Sequence, residues 1–178
     1  VPIWAIAFGF PLWKLGLLMG ARTFGSAIGQ APMGHLSDRY DRRYLLPAGF
    51  ALIGLGIAAF ATVPFLPGLD ASVTVAGYAA SWELIAMLLA MLASGIGSST
   101  VHPTGYPLIT ANVREGAKGR VLGMWGSASK FGDGVAPALV GALLLAVAWN
   151  EILLLAGLFA LGYAGVLFLV LRGFETRP

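Results

Sequence analysis

Charged side chains are spread so unevenly along this chain that they leave apolar runs no soluble fold could bury. The runs cover residues 15–33, 44–63, 82–111, 121–148 and 152–171, with short polar connections between them. Each is close to, or longer than, the roughly 20 residues an α-helix needs to cross a hydrocarbon core of about 30 Å. None shows the roughly ten-residue alternation of a transmembrane barrel strand. Of 178 residues, 58% are hydrophobic and 11% charged, with a mean hydropathy of +0.83. So few charges cannot cover a soluble domain, and the chain is too apolar for disorder. The lack of cysteine excludes a disulfide-stapled module and a thiolate metal site. The expected architecture is all-α, a single integral membrane helical bundle over residues 1–178 with about five spans in a lipid bilayer.

Pro64 and Pro67 close the second run, and a Pro67–Gly68 turn with Asp70 makes residues 64–81 a loop. Pro103 and Pro107 are predicted to kink the third run, which is long for one span. Asn150 and Glu151 are predicted to form a tight turn before the fifth run. Eight of the eleven Lys and Arg lie in the connections 37–43 and 114–120 or in the C-terminal tail: Arg39, Arg42, Arg43, Arg114, Lys118, Arg120, Arg172 and Arg177. A five-span zigzag puts all of them on one side. The other side holds Asp70, Glu83 and Glu151 with Lys14, and the two glutamates are expected to be solvated helix starts. The positive-inside rule then places the C-terminus in the cytoplasm of a plasma (bacterial inner) membrane and residue 1 outside. The net charge of +3 and the pI of about 9.5 are therefore topology signals rather than a nucleic-acid footprint. An outer residue 1 leads to the expectation of a further helix before Val1, with Pro2, Ile3 and Trp4 as its outer end.

The segment Gly34-His-Leu-Ser-Asp-Arg-Tyr-Asp-Arg-Arg43 resembles the signature loop of the major facilitator superfamily, Gly-x-Leu-Ala/Ser-Asp-Arg-x-Gly-Arg-Arg/Lys. Gly34, Leu36, Ser37, Asp38, Arg39, Arg42 and Arg43 match, and Asp41 stands where glycine is usual. Aspartate tolerates a left-handed backbone better than most residues, so the turn is expected to survive. The alternative is an ordinary basic loop. Gly95-Ile-Gly97 matches the glycines of the superfamily's fourth-helix pattern Arg-x-x-x-Gly-x-Gly, but Met91 holds the arginine position, so coupling through that arginine is not implied. Gly132, Pro137 and Gly141 match part of the fifth-helix pattern of drug exporters, with Ala136 and Val140 replacing glycines. Gly97-Ser98-Ser99 before His102-Pro103 is similar to the fosmidomycin-resistance-like branch. The resemblance covers nearly the whole chain as helices two to six of an N-terminal half. It implies a secondary transporter working by alternating access, with a second copy or a missing C-terminal half as its partner, and a loop that latches the two halves together. The rival reading is a non-transporting subunit or truncated relic that keeps the fold.

Ionisable groups at bilayer depth are costly and so are candidate site residues. Arg22 lies about 12 residues from Gly34, roughly 18 Å in at 1.5 Å per residue. His102 lies at a similar depth, as do Lys130 and Asp133. Transporter sites commonly sit at that level. Arg22, His102 and Lys130 around an aqueous cavity would attract a small anionic or polar solute. Alternatives remain for each. Lys130 and Asp133, three apart, can neutralise each other. Arg22 can pair with Asp133, and His102 can bond a carbonyl freed by the proline kink. Met87 and Met91, four apart, could suggest a soft metal, but without cysteine they read as packing. Gly16, Gly20, Gly25 and Gly29 suit close helix approach. No nucleotide-binding loop, zinc spacing or nucleophile triad appears, so neither an enzyme nor a cofactor is expected.

Overall fold

The computed structural model describes residues 9–69, 71–75 and 78–173. Val1, Pro2, Ile3, Trp4, Asp70 and Arg177, named above, lie outside the described residues. The chain forms helices α1 (Leu12–Arg39), α2 (Arg42–Thr62), α3 (Trp82–Ser98), α4 (Val101–Asn112), α5 (Lys118–Leu143) and α6 (Trp149–Leu171). It is an all-α helical bundle with one small hairpin. Three stretches, Arg42–Phe65, Trp82–Asn112 and Trp149–Leu171, are long and apolar enough to cross a membrane by length and composition. Helices α1 and α5 are as long, at 28 and 26 residues, but carry the interior charges Arg22, Lys130 and Asp133.

The segment 64–81 is more ordered than a loop. Gly68 takes the left-handed backbone the Pro-Gly turn requires, at φ 83°. Strands β1 (Ser72–Val75) and β2 (Tyr78–Ser81) then pair antiparallel, with Ser72 opposite Ser81. The β-branched run Val73-Thr74-Val75 is the signal for β1, too short to stand out beside helix-length runs. The hairpin delivers Ser81 to the N-cap of α3, where its Oγ accepts from the Leu84 N–H at 3.1 Å. Backbone N–H groups of Trp82 and Glu83 donate to the carbonyls of Ala71 and Leu69.

Three boundaries also differ from expectation. The third run is two helices, broken at Ser99–Thr100 rather than bent at the prolines themselves. The ring of a helical proline clashes with the carbonyl four residues earlier and leaves it without a donor. For Pro103 that carbonyl belongs to Ser99, so the break falls there. Second, α5 ends at Leu143, and the turn is the apolar segment 144–148, which hydropathy cannot distinguish from helix. Asn150 and Glu151 belong to the first turn of α6 instead. Third, Glu83 is not a solvated helix start. It lies 2.9 Å from Lys14 Nζ, with side chains 25% and 14% exposed, joining α3 to α1.

The core sits at the end away from the basic connections. Leu15 and Leu18 of α1, Phe60 of α2, and Leu84, Met87 and Met91 of α3 are buried together. The methionine pair is thus packing, and no metal-binding group of three His, Cys, Asp or Glu occurs among the described residues. Trp149 is ringed by Phe10, Phe60 and Phe65 at centroid distances of 6.0–6.3 Å. Helix α3 fits between α1 and α2 because its glycines open two faces. A Cβ on Gly95 would collide with the Arg22 carbonyl of α1. One on Gly97 would stand 2.6 Å from the Gly49 carbonyl and 2.8 Å from the Ile53 nitrogen of α2. Gly25 and Gly29 approach α3 and Ser99 in the same way, whereas Gly16, Gly20, Gly132 and Gly141 meet nothing within 4 Å. The last two lie on α5, which buries none of its residues among the described contacts.

Gly97→Leu should lower stability by about 1–3 kcal/mol through overpacking, read as unfolding in mixed micelles. Gly20→Ala, facing open space, should stay within about 0.5 kcal/mol.

Candidate functional site

Two local devices build the basic end. In the first, the turn between α1 and α2 needs no left-handed residue. Asp41 has φ −65° and ψ 117°, and acts as the N-cap of α2. Its Oδ1 accepts from the Arg43 N–H at 2.9 Å, while Oδ2 accepts from Arg43 Nε at 2.8 Å and Nη2 at 2.6 Å. The expectation of a left-handed turn at Asp41 is therefore replaced by a cap, a role aspartate fills and glycine cannot fill with a side chain. Leu36 and Arg39 end α1, with the Leu36 carbonyl accepting from Tyr40 and Arg39 favourable to the helix C-terminus. Asp38 is 77% exposed and lies 3.6 Å from Arg42 Nη2. Gly34 meets no neighbour.

The second device is Ser37, 3% exposed. Its Oγ donates to the Pro103 carbonyl at 3.0 Å, and Arg42 Nε donates to the Ser37 Oγ and carbonyl, both at 3.1 Å. In a regular helix the Pro103 carbonyl would accept from residue 107. That residue is Pro107, which has no N–H. A serine 66 positions earlier supplies the missing donor. At the break itself, Ser99 Oγ and Thr100 Oγ1 donate to the carbonyls of Ile96 and Gly97 at 2.6 and 2.9 Å.

The break turns α4 towards α5. Between them lies a cavity of about 330 Å³ lined by His102, Tyr106, Trp125, Ser98, Ser129 and Lys130, among others. Three rings form its wall. His102 stacks on Tyr106 at 5.6 Å, and Trp125 meets Tyr106 edge-on at 4.5 Å and His102 at 5.8 Å. Trp125 rests on Gly105, where an added Cβ would stand 3.0 Å from its Cη2. Lys130 Nζ lies 3.0 Å from Asp133 Oδ2, with side chains 83% and 66% exposed.

Of the sequence-predicted site residues, His102 and Lys130 thus share a cavity, and Asp133 joins through its ion pair. Arg22 lines no described cavity with them. It is exposed on α1, with no ion pair among the described residues, so the Arg22–Asp133 alternative is not realised. His102 makes ring contacts rather than a hydrogen bond to a freed carbonyl. The aromatic wall was not foreseen. Its signal lay in spacing of four, His102 with Tyr106 and Trp125 with Ser129, which puts each pair on one helix face.

The chain matches the Major Facilitator Superfamily over residues 1–178. It belongs to that superfamily. A probable L-galactonate transporter of Escherichia coli is 24% identical over 169 residues, covering 94% of this chain and 33% of the relative. An uncharacterised transporter of the same superfamily from Methanocaldococcus jannaschii is 26% identical, covering 79% of this chain and 32% of the relative. A membrane sensor protein of Salmonella typhimurium is 28% identical, covering 89% and 32%. The chain spans about a third of the length of these curated relatives. No solved structure matches. The superfamily assignment makes this a membrane protein of transporter type, and its family and the relatives' names point to transport rather than enzymatic chemistry.

Ser37→Ala should cost about 1–3 kcal/mol by stranding the Pro103 carbonyl. Adding Pro107→Ala should recover most of that loss, because residue 107 then supplies the helical N–H. A double-mutant cycle on unfolding free energy measures the coupling.

Proposed function

We propose that this chain is part of a secondary transporter that moves a small polar, anionic solute by alternating access, its basic end facing the cytoplasm of a plasma membrane. The observation that carries the proposal is the cavity beside the α3–α4 break, where Lys130 stands at an aromatic wall with Ser98 and Ser129. An ammonium attracts a carboxylate, hydroxyls bond polar substituents, and ring faces cover C–H surfaces. A hydroxylated carboxylate, such as the sugar acid in one relative's name, satisfies all three.

Lys130 pairs with Asp133 at 3.0 Å on an exposed face, so a solute carboxylate would compete with Asp133 for the ammonium. Helix α5, with Phe131 and Met124 72% and 66% exposed, would meet the second half of the transporter or a second copy, and Arg22 would face the same space. The basic loop 34–43 would latch the moving bundle.

The test is uptake of labelled galactonate, and of a neutral sugar, into proteoliposomes with and without a pH gradient. Lys130→Gln should weaken galactonate binding about 10–100-fold, the worth of a charged hydrogen bond. Asp133→Asn, which removes the competing carboxylate, should tighten galactonate binding several-fold. Equal handling of both solutes by the Lys130 variant and the parent protein overturns the site. A second reading, a sensor that binds without transporting, is favoured by the relative named as a membrane sensor. Binding with no uptake under any gradient would select it.

A further inference from the structure

A second cavity, of about 420 Å³, lies on the other side of Trp125 among α2, α4, α5 and α6. Its walls are nearly all apolar, including Phe50, Leu108, Ile109 and Leu167. Along α4 it runs from Val101 to Asn112, about 16 Å at 1.5 Å per residue. That is roughly half of a 30 Å hydrocarbon core, the depth of one leaflet. Asn112 lines the basic end, beside the three apolar residues Val113, Val121 and Leu171. Each of these three is followed or preceded in the chain by an arginine: Arg114, Arg120 and Arg172. All three arginines are exposed. Arg114 and Arg120 have no ion pair among the described residues, and Arg172 lies over the Phe168 ring at 4.3 Å.

We propose that this cleft holds one acyl chain of an anionic phospholipid whose phosphate is met by Arg114 and Arg120, while Arg172 stays on the Phe168 ring. An apolar slot one leaflet deep suits a single lipid chain. The two cations at its basic end select a headgroup with net negative charge over a zwitterion. A soluble apolar ligand would have no use for them, and a free phosphate would have no use for the slot. The cleft shares Trp125 and Val101 with the polar cavity, but its lipid preference does not depend on what that cavity binds.

The test uses the whole chain in phosphatidylcholine nanodiscs doped with lipid brominated on its acyl chains, which quenches nearby tryptophan. Subtracting the Trp125→Phe signal isolates Trp125, which lines the cleft. Brominated phosphatidylglycerol should quench Trp125 at several-fold lower mole fraction than brominated phosphatidylcholine. Arg114→Gln and Arg120→Gln should each weaken that preference about fivefold. Equal quenching of Trp125 by the two lipids, read after the Trp125→Phe subtraction, overturns the proposal. So does a preference that survives both substitutions in a variant with unchanged helical circular dichroism.

Discussion

Backbone at bilayer depth has no water to bond, so every carbonyl freed inside a span must find a donor from the protein. Pro103 and Pro107 create that demand four residues apart, at the carbonyls of Ser99 and Pro103, and the second is met by a bond from another helix. Ser99 and Thr100 bond back to the preceding turn and fix where α3 stops. Ser37 reaches from the α1 terminus to the Pro103 carbonyl. Arg42 in turn holds Ser37, and Asp41 starts the helix that carries Arg42. The basic connection is therefore joined to the interior by hydrogen bonds as well as placed at the surface by its charge. His102, one residue from the held carbonyl, inherits its position from this chain of contacts.

Much of this was legible in the sequence, because apolar runs fenced by charges leave few ways to fold. The helical bundle and the superfamily followed from run length and from the spacing of Gly34, Asp38, Arg39, Arg42 and Arg43. Boundaries were less legible where apolar residues do two jobs. Residues 144–148 turn the chain although they are composed like the helices on either side, and Val73–Val75 form a strand too short to stand out. Capping decided the case of Asp41. Read as a substitute for a flexible glycine, it proved to be a residue used for its carboxylate. At the candidate site, charges and depth pointed to His102 and Lys130. The rings beside them depend on the direction α4 takes after the break, which a linear pattern does not contain. Arg22 shows the same limit: depth alone does not specify which way a residue faces around the helix.

The packing is strongly graded across the bundle. Helices α1 and α2 each touch α3 through glycines at backbone distance, and α6 meets α2 in the same way at Gly54 and Gly157, with the ring pairs Phe50–Tyr163 and Tyr44–Phe168 at 4.9 and 5.9 Å. Helix α5 is held mainly along α4, and it carries Lys130 and Asp133 on an uncovered surface. Close packing suits the elements that define the frame. An element with one flank free can shift against that frame without breaking a core.

Trp125 is a partition. Its indole is common to the polar cavity and the apolar cleft, and Gly105 leaves it seated with little room to spare. A smaller side chain at this position would widen both spaces at once, so one ring, with Val101 beside it, sets a wall of each.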